Sequence, residues 1–180
     1  MSRKALLHGA GLAIATVLLA IIAKAAPPLG ATRPALRLVD AWDRPFDLSQ
    51  VGGRPLLVIY EDQSSVRQNA PLKDELSRLA RGDRYRSRIV LAAVADVSGY
   101  DFWPVRGFVK DAIRDESRKA GTSIYCDWSG EARRAFRAPP STSTVILYDR
   151  ESKVVFAHEG AMPAATRATL LDLLRGMAEL

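Results

Sequence analysis

The fold class to expect is α/β: a three-layer α/β/α sandwich around a mixed central sheet. Three observations predict it. Short apolar runs rich in β-favouring residues (Leu56 to Tyr60, Arg88 to Val94, Ser123 to Cys126) alternate with stretches whose apolar residues recur at helical spacing. Near the C-terminus, Thr144 to Tyr148 and Lys153 to Ala157 read as two strands joined by Asp149-Arg150-Glu151-Ser152, with an amphipathic helix behind them. Between these halves, Leu56-Leu57-Val58-Ile59-Tyr60 stops at Glu61-Asp62 and feeds a helix with an early proline, Pro71. An apolar strand of that kind suits the centre of a sheet covered on both faces.

Taken in order, Ser2-Arg3-Lys4 forms a basic start, and Ala5 to Ala23 is a run without a charged residue. Ala23-Lys24-Ala25 offers small residues at the spacing of a signal-peptidase site. Residues 1–25 are therefore expected to be an export signal. The alternative is an uncleaved membrane anchor, since the run approaches the ~20 residues that span a bilayer. No cysteine follows the run, which excludes a lipoprotein. Residues 26–34 read as a Pro/Gly/Ala linker and 35–180 as the folded domain.

Ala35 to Val39 is a first strand, and Asp43-Arg44-Pro45 a turn into the fragment Phe46-Asp47-Leu48. After the central strand Ser64 reads as a helix cap, with Glu61 and Asp62 where a helix N-terminus favours negative charge. Val66, Leu72, Leu76, Leu79 and Ala80 then form one apolar face, and Pro71 bends the axis from inside the helix. Arg78 to Arg88 is a helix end and loop. Asp101 to Val105 is a loop, and Phe108, Val109, Ala112 and Ile113 fall at helical spacing up to Gly121. Asp127 to Phe136 is a turn and short helix. Pro163 opens the last helix, with Leu170, Leu171, Leu174 and Met177 facing inward.

Composition narrows the chemistry. Without Arg3, Lys4 and Lys24 the formal charge falls from +6 to +3, and no basic cluster is interleaved with aromatics, so nucleic acid is not an expected partner. The single cysteine, Cys126, excludes an intramolecular disulfide. With His158 the one histidine beyond residue 25, a cysteine/histidine zinc site lacks ligands, and no metal or other cofactor is expected.

Several stretches resemble known exported proteins. Ala70-Pro71-Leu72-Lys73-Asp74-Glu75-Leu76 resembles the kinked helix after the thioredoxin active site, which sets Gln63-Ser64-Ser65-Val66 where that family carries its CxxC pair. Thr142-Ser143-Thr144-Val145-Ile146-Leu147 resembles the later strand that opens with the family's cis-proline, with Ser143 in the proline's place. Asp43 to Leu48 looks like the aspartate-turn-strand lead-in of exported redoxins. Gly82-Asp83-Arg84-Tyr85, Gly107-Phe108-Val109-Lys110, Ser143 to Asp149 and Phe156 to Met162 are similar in order and spacing to the YtfJ-type proteins. The resemblance implies a thioredoxin-like fold and a periplasmic address, and it hands over no catalytic residues.

Disulfide exchange needs a low-pKa thiolate and a resolving thiol, and Gln63 and Val66 supply neither. Cys126 ends a strand beside Asp127 and is expected to be a structural thiol on the same rim as the Glu61 to Ser65 turn, where open α/β sheets bind ligands. His158 reads as a surface residue, and no nucleophile-elbow motif surrounds Ser64 or Ser129. Trp42, Trp103 and Trp128 are expected in core or edge packing. The candidate binding rim is thus Glu61, Asp62, Gln63, Ser64, Cys126, Asp127, Trp128 and Ser143. The function expected is a redox-inactive, non-enzymatic periplasmic module that binds a protein or peptide. It touches membrane only if residues 1–25 stay attached. The rivals are a single-thiol sensor or peroxidase using Cys126, and an anchored spacer without redox activity.

Overall fold

The computed structural model describes residues 26–81 and 83–179. The expected signal or anchor, residues 1–25, and Gly82 of the Gly82-Asp83 stretch lie outside the described residues. The elements are β1 (Arg37–Asp40), β2 (Pro45–Asp47), β3 (Leu56–Glu61), α1 (Ala70–Leu79), α2 (Asp83–Arg88), β4 (Val90–Asp96), α3 (Val105–Ala120), β5 (Ile124–Asp127), α4 (Glu131–Phe136), β6 (Thr144–Tyr148), β7 (Val154–Glu159) and α5 (Ala164–Glu179). One seven-stranded sheet runs β2-β1-β5-β4-β3-β6-β7. The β5-β4-β3 heart is parallel and both flanks are antiparallel, so the sheet is mixed as the alternation requires.

Because strand side chains alternate, β3 supplies both cores. Leu56, Val58 and Tyr60 face Leu36, Leu38, Ile146, Tyr148 and the α4 residues Ala132 and Phe136. Leu57 and Ile59 face the other way, with Val145 and Leu147, under Leu72 of α1 and Leu170, Leu171 and Leu174 of α5. Beyond β4 a third cluster joins Cys126 of β5 to Ile113 of α3, Ala41, Val97 and Trp128. Gly121 ends α3 in the left-handed conformation, φ 65°, and its N–H closes on the carbonyl of Arg118.

Several local expectations are corrected. Residues 62–69 are turns, and α1 begins only at Ala70, so Ser64 caps no helix. Pro71 lies in the first turn, where its missing N–H costs nothing, rather than inside the helix. Val66, outside α1, is 45% exposed instead of on the apolar face. The segment read as a loop up to Arg88 contains α2. The helix expected up to Gly121 is α3, in which Ile113 is buried while Phe108 and Ala112 are exposed. Trp103 is not packed at all, at 91% exposure. Residues 26–34 run along β7: the N–H of Gly30 reaches the carbonyl of Val154, and Thr32 bridges to Lys153.

Tyr148 is fully buried on the α4 face, and its hydroxyl finds no hydrogen-bond partner among the described residues. Burial raises its pKa, so the phenol stays neutral. Removing an unpartnered buried hydroxyl relieves a desolvation cost of about 1 kcal/mol. Tyr148→Phe is therefore expected to leave stability unchanged or raise it by about that much in urea denaturation. A loss above ~1 kcal/mol would contradict this placement of the hydroxyl.

Candidate functional site

The C-terminal ends of the parallel strands β3, β4 and β5 open on one rim, with the start of β6 and the end of β7 beside them. Glu61 is the last residue of β3, and from Asp62 the chain folds on its own side chains. Asp62 Oδ1 accepts the N–H groups of Ser64 at 3.0 Å and Ser65 at 2.9 Å and the Ser64 hydroxyl at 2.6 Å. The Asp62 N–H donates to Ser65 Oγ at 2.9 Å, completing an Asx-type turn. Asp62 Oδ2 accepts the N–H of Ser141 from the loop before β6, at 2.8 Å. Burial pushes the Asp62 carboxyl up, but these donors outweigh it and hold the pKa at about 2.

Behind the turn, buried Asn69 ties three elements together. Its Nδ2 donates to Ser143 Oγ at 2.9 Å and to the carbonyl of Gly160 at 3.0 Å, and its Oδ1 accepts the N–H of Met162 at 2.9 Å. That commitment explains why Asn69, at the N-cap of α1, makes no side-chain cap bond. The fully buried Ser143 hydroxyl passes its own proton to Glu61 Oε1 at 2.9 Å, and Glu61 Oε2 accepts Lys73 Nζ at 2.9 Å. Burial raises the Glu61 pKa against the opposing pull of Lys73 and Ser143. Gln68 adds a backbone clamp, donating to the carbonyl of Ser141 and accepting the N–H of Ser143, both at 2.9 Å.

Cys126 is a different environment. It is 3% exposed, paired across to Ala95 and Val39. Burial first, and then the Asp40 carboxylate, push its thiol up to about 12. The expected neighbour, Asp127, is not the cause. It is adjacent in a strand and so points to the opposite face. There Asp127 Oδ2 lies 3.0 Å from the Tyr60 hydroxyl and accepts the N–H of Arg133 at 2.9 Å. The Tyr60 hydroxyl is also 2.7 Å from Asp96 Oδ2, and Arg133 Nε donates to that oxygen at 2.6 Å. Burial raises the Asp96 pKa, but the bonds from Tyr60, Ser98 and Arg133 bring it below the usual carboxylate value. The cluster holds the start of α4 to the ends of β4 and β5.

Of the rim residues picked from sequence, Glu61 and Ser143 bond each other inside the protein, while half-buried Asp62 is occupied by its own turn and by Ser141. Cys126, Asp127 and Trp128 are buried. The Trp128 ring lies under the Arg106 guanidinium, 4.5 Å from its centroid. Gln63 and Ser64 alone stand exposed. Among the described residues the only cis peptide is Trp103–Pro104, so the Thr142–Ser143 bond is trans. His158 Nε2 contacts the carbonyl of Ala161 at 3.4 Å, while the hydroxyl of Ser64 goes to Asp62 and Ser129 Oγ accepts the N–H of Glu131, so these residues form no triad. Sequence reading missed Asn69, Gln68, Lys73, Tyr60, Asp96 and Arg133. A polar residue just before Ala70-Pro71 was the one available signal.

A parallel-centred sheet of this order, with a helix opening at the end of β3 and a hairpin and helix closing the far edge, defines a thioredoxin-like fold in which the thiol corner is polar. More narrowly, the chain belongs to the family described as bacterial protein of unknown function (YtfJ_HI0045), whose profile matches residues 57–177. No curated protein matches the sequence. Among solved structures it is similar to an uncharacterized conserved protein of Geobacillus kaustophilus (TM-score 0.63, 18% identity, 84% of this chain and 82% of that one). It is also similar to the exposed lipoprotein thioredoxin Etrx1 of Streptococcus pneumoniae (TM-score 0.59, 20% identity, 79% and 99%). A third is the peroxidoxin BcpB of Mycobacterium tuberculosis (TM-score 0.58, 19% identity, 82% and 96%). Among the described residues no helix is long and apolar enough to cross a membrane.

Asp62→Ala removes the turn's principal acceptor and is expected to cost about 1–2 kcal/mol at neutral pH. A depressed carboxyl contributes above its unfolded pKa near 4, and the contribution is lost as pH falls through about 2. Urea denaturation of the two proteins should therefore differ at pH 7 and converge at pH 2. A difference that persists unchanged in acid would contradict the assignment.

Proposed function

We propose that this protein is an exported, redox-inactive thioredoxin-fold module that binds a protein or peptide partner with its rim. One observation carries the reading: the corner that performs disulfide exchange in thioredoxins is built here from carboxylate, hydroxyl and amide groups that satisfy one another. Gln63 and Val66 hold the two thiol positions, and both are exposed. A thiolate at that corner is what exchange chemistry requires. What faces outward is the turn Gln63–Arg67, with the Tyr100 hydroxyl donating to Gln63 Oε1 at 2.8 Å. This is a firm, side-chain-rich surface, supported from behind by the Asn69 network, and preorganised surfaces lose less on binding.

The single-thiol alternative finds little support. Cys126 lies inside an apolar cluster with its thiol held to the neutral form at physiological pH. Native protein at pH 7 is expected to react with iodoacetamide far more slowly than an unfolded control, and fast native labelling would favour the sensor reading. In affinity capture from a periplasmic extract, a specific partner should survive Cys126→Ser and be lost with Val66→Asp at the exposed turn. Retention with Val66→Asp and loss with Cys126→Ser would sink the binding proposal.

A further inference from the structure

Of seven exposed large apolar side chains among the described residues, four fall between Tyr100 and Phe108, with Phe102 at 56%, Trp103 at 91% and Phe108 at 71%. Loose packing does not explain this. The segment is held by backbone bonds from Phe102 to Tyr100, Arg106 to Phe102 and Gly107 to Pro104, at 2.9, 2.9 and 3.1 Å. Arg106 pairs with Asp101 while covering Trp128, and Lys110 is held at 2.6 Å by Asp43. The aromatic surface is thus rigid, and its nearest charges are already neutralised. It offers little to a partner's charges or backbone.

The position of the surface suggests its occupant. The loop leaves the top of β4, and Glu159 ends β7 at the same edge of the sheet, since Glu159 is opposite Thr144, Thr144 opposite Tyr60, and Tyr60 opposite Val94. The N–H of Ala26, the first described residue, donates to the Glu159 carboxylate at this end of the sheet. Shortly before it comes the uncharged run Ala5 to Ala23. We propose that Phe102, Trp103 and Phe108 form a lipid-contacting surface. They settle into the headgroup boundary of a membrane surface, the setting that the uncleaved-anchor reading of residues 1–25 would give the domain. Tryptophan, whose apolar ring carries a polar N–H, favours that boundary, and phenylalanine adds apolar surface beside it. The contact goes beyond the partner-binding reading, because Phe102, Trp103 and Phe108 lie outside the Gln63–Arg67 turn, which this loop meets through the Tyr100 hydroxyl. A partner would then be met at the membrane surface.

The full chain in phosphatidylcholine vesicles, with and without lipids brominated in the acyl chain, tests this through tryptophan fluorescence. The protein has three tryptophans, and Trp103→Phe isolates the one at issue. Bromine quenching in the wild type is expected to fall at least twofold in Trp103→Phe, and to persist at high salt because the nearby charges are paired. Phe108→Ser, also at an exposed position, should reduce quenching of Trp103 with an unchanged circular dichroism spectrum. Equal quenching in wild type and Trp103→Phe would overturn the proposal. So would shielding of Trp103 by periplasmic protein but not by lipid, or recovery from cells of a mature chain beginning at Ala26. None of these outcomes bears on whether the Gln63–Arg67 turn binds its partner.

Discussion

The rim depends on one side chain that has nowhere else to go. Asn69 is buried where α1 starts, and its amide spends three hydrogen bonds on groups from the start of β6 and the turn after β7. A buried amide left unpaired costs a few kcal/mol, so the geometry of these segments and the burial of Asn69 enforce each other. Around it Ser143, Glu61, Lys73 and Gln68 form a chain in which each polar atom named above has a partner. Such a network is rigid when complete and costly when broken. It fixes the angle at which β3 hands over to α1 without a disulfide or a proline at Ser143.

That arrangement separates shape from chemistry. The sheet order and the structural neighbours show a thioredoxin-like fold, with α1 following the turn after β3. At the turn after β3, Asp62, Ser64 and Ser65 carry hydrogen bonds to one another. The lone thiol is buried between sheet and α3, level with Glu61 through Ala95 but two strands across. A second polar knot, Tyr60 with Asp96, Asp127 and Arg133, does for α4 what Asn69 does for α1. Both knots stiffen the loops at one end of the sheet.

How much of this was legible follows from the range of each interaction. The strands announced themselves through local runs such as Val58-Ile59-Tyr60, and the sheet found in the structure matches the mixed order expected from alternation followed by a hairpin. The start of α1 was misplaced because Asp62, Ser64 and Ser65 are all cap formers. Choosing among them depends on Ser141, far along the chain, taking the second Asp62 oxygen. Pro71 pointed to the true start, as a first-turn residue. Asn69 gave no sign of its role, since Ser143 is 74 residues away and no spacing rule reaches that far. Phe108 sits at the helical spacing that correctly marked α3, but spacing alone does not tell which apolar side chain is buried, and this one is exposed. Cys126 was correctly expected as a structural thiol, but the acid beside it in sequence is not the acid beside it in space.

A double-mutant cycle on Asn69→Ala and Ser143→Ala, read by urea denaturation, measures the claim most directly. If the two side chains act as one unit, the double variant should lose less stability than the two single losses combined, by a coupling of about 1 kcal/mol or more. Additive losses within about 0.3–0.5 kcal/mol would show that the rim does not rest on this contact.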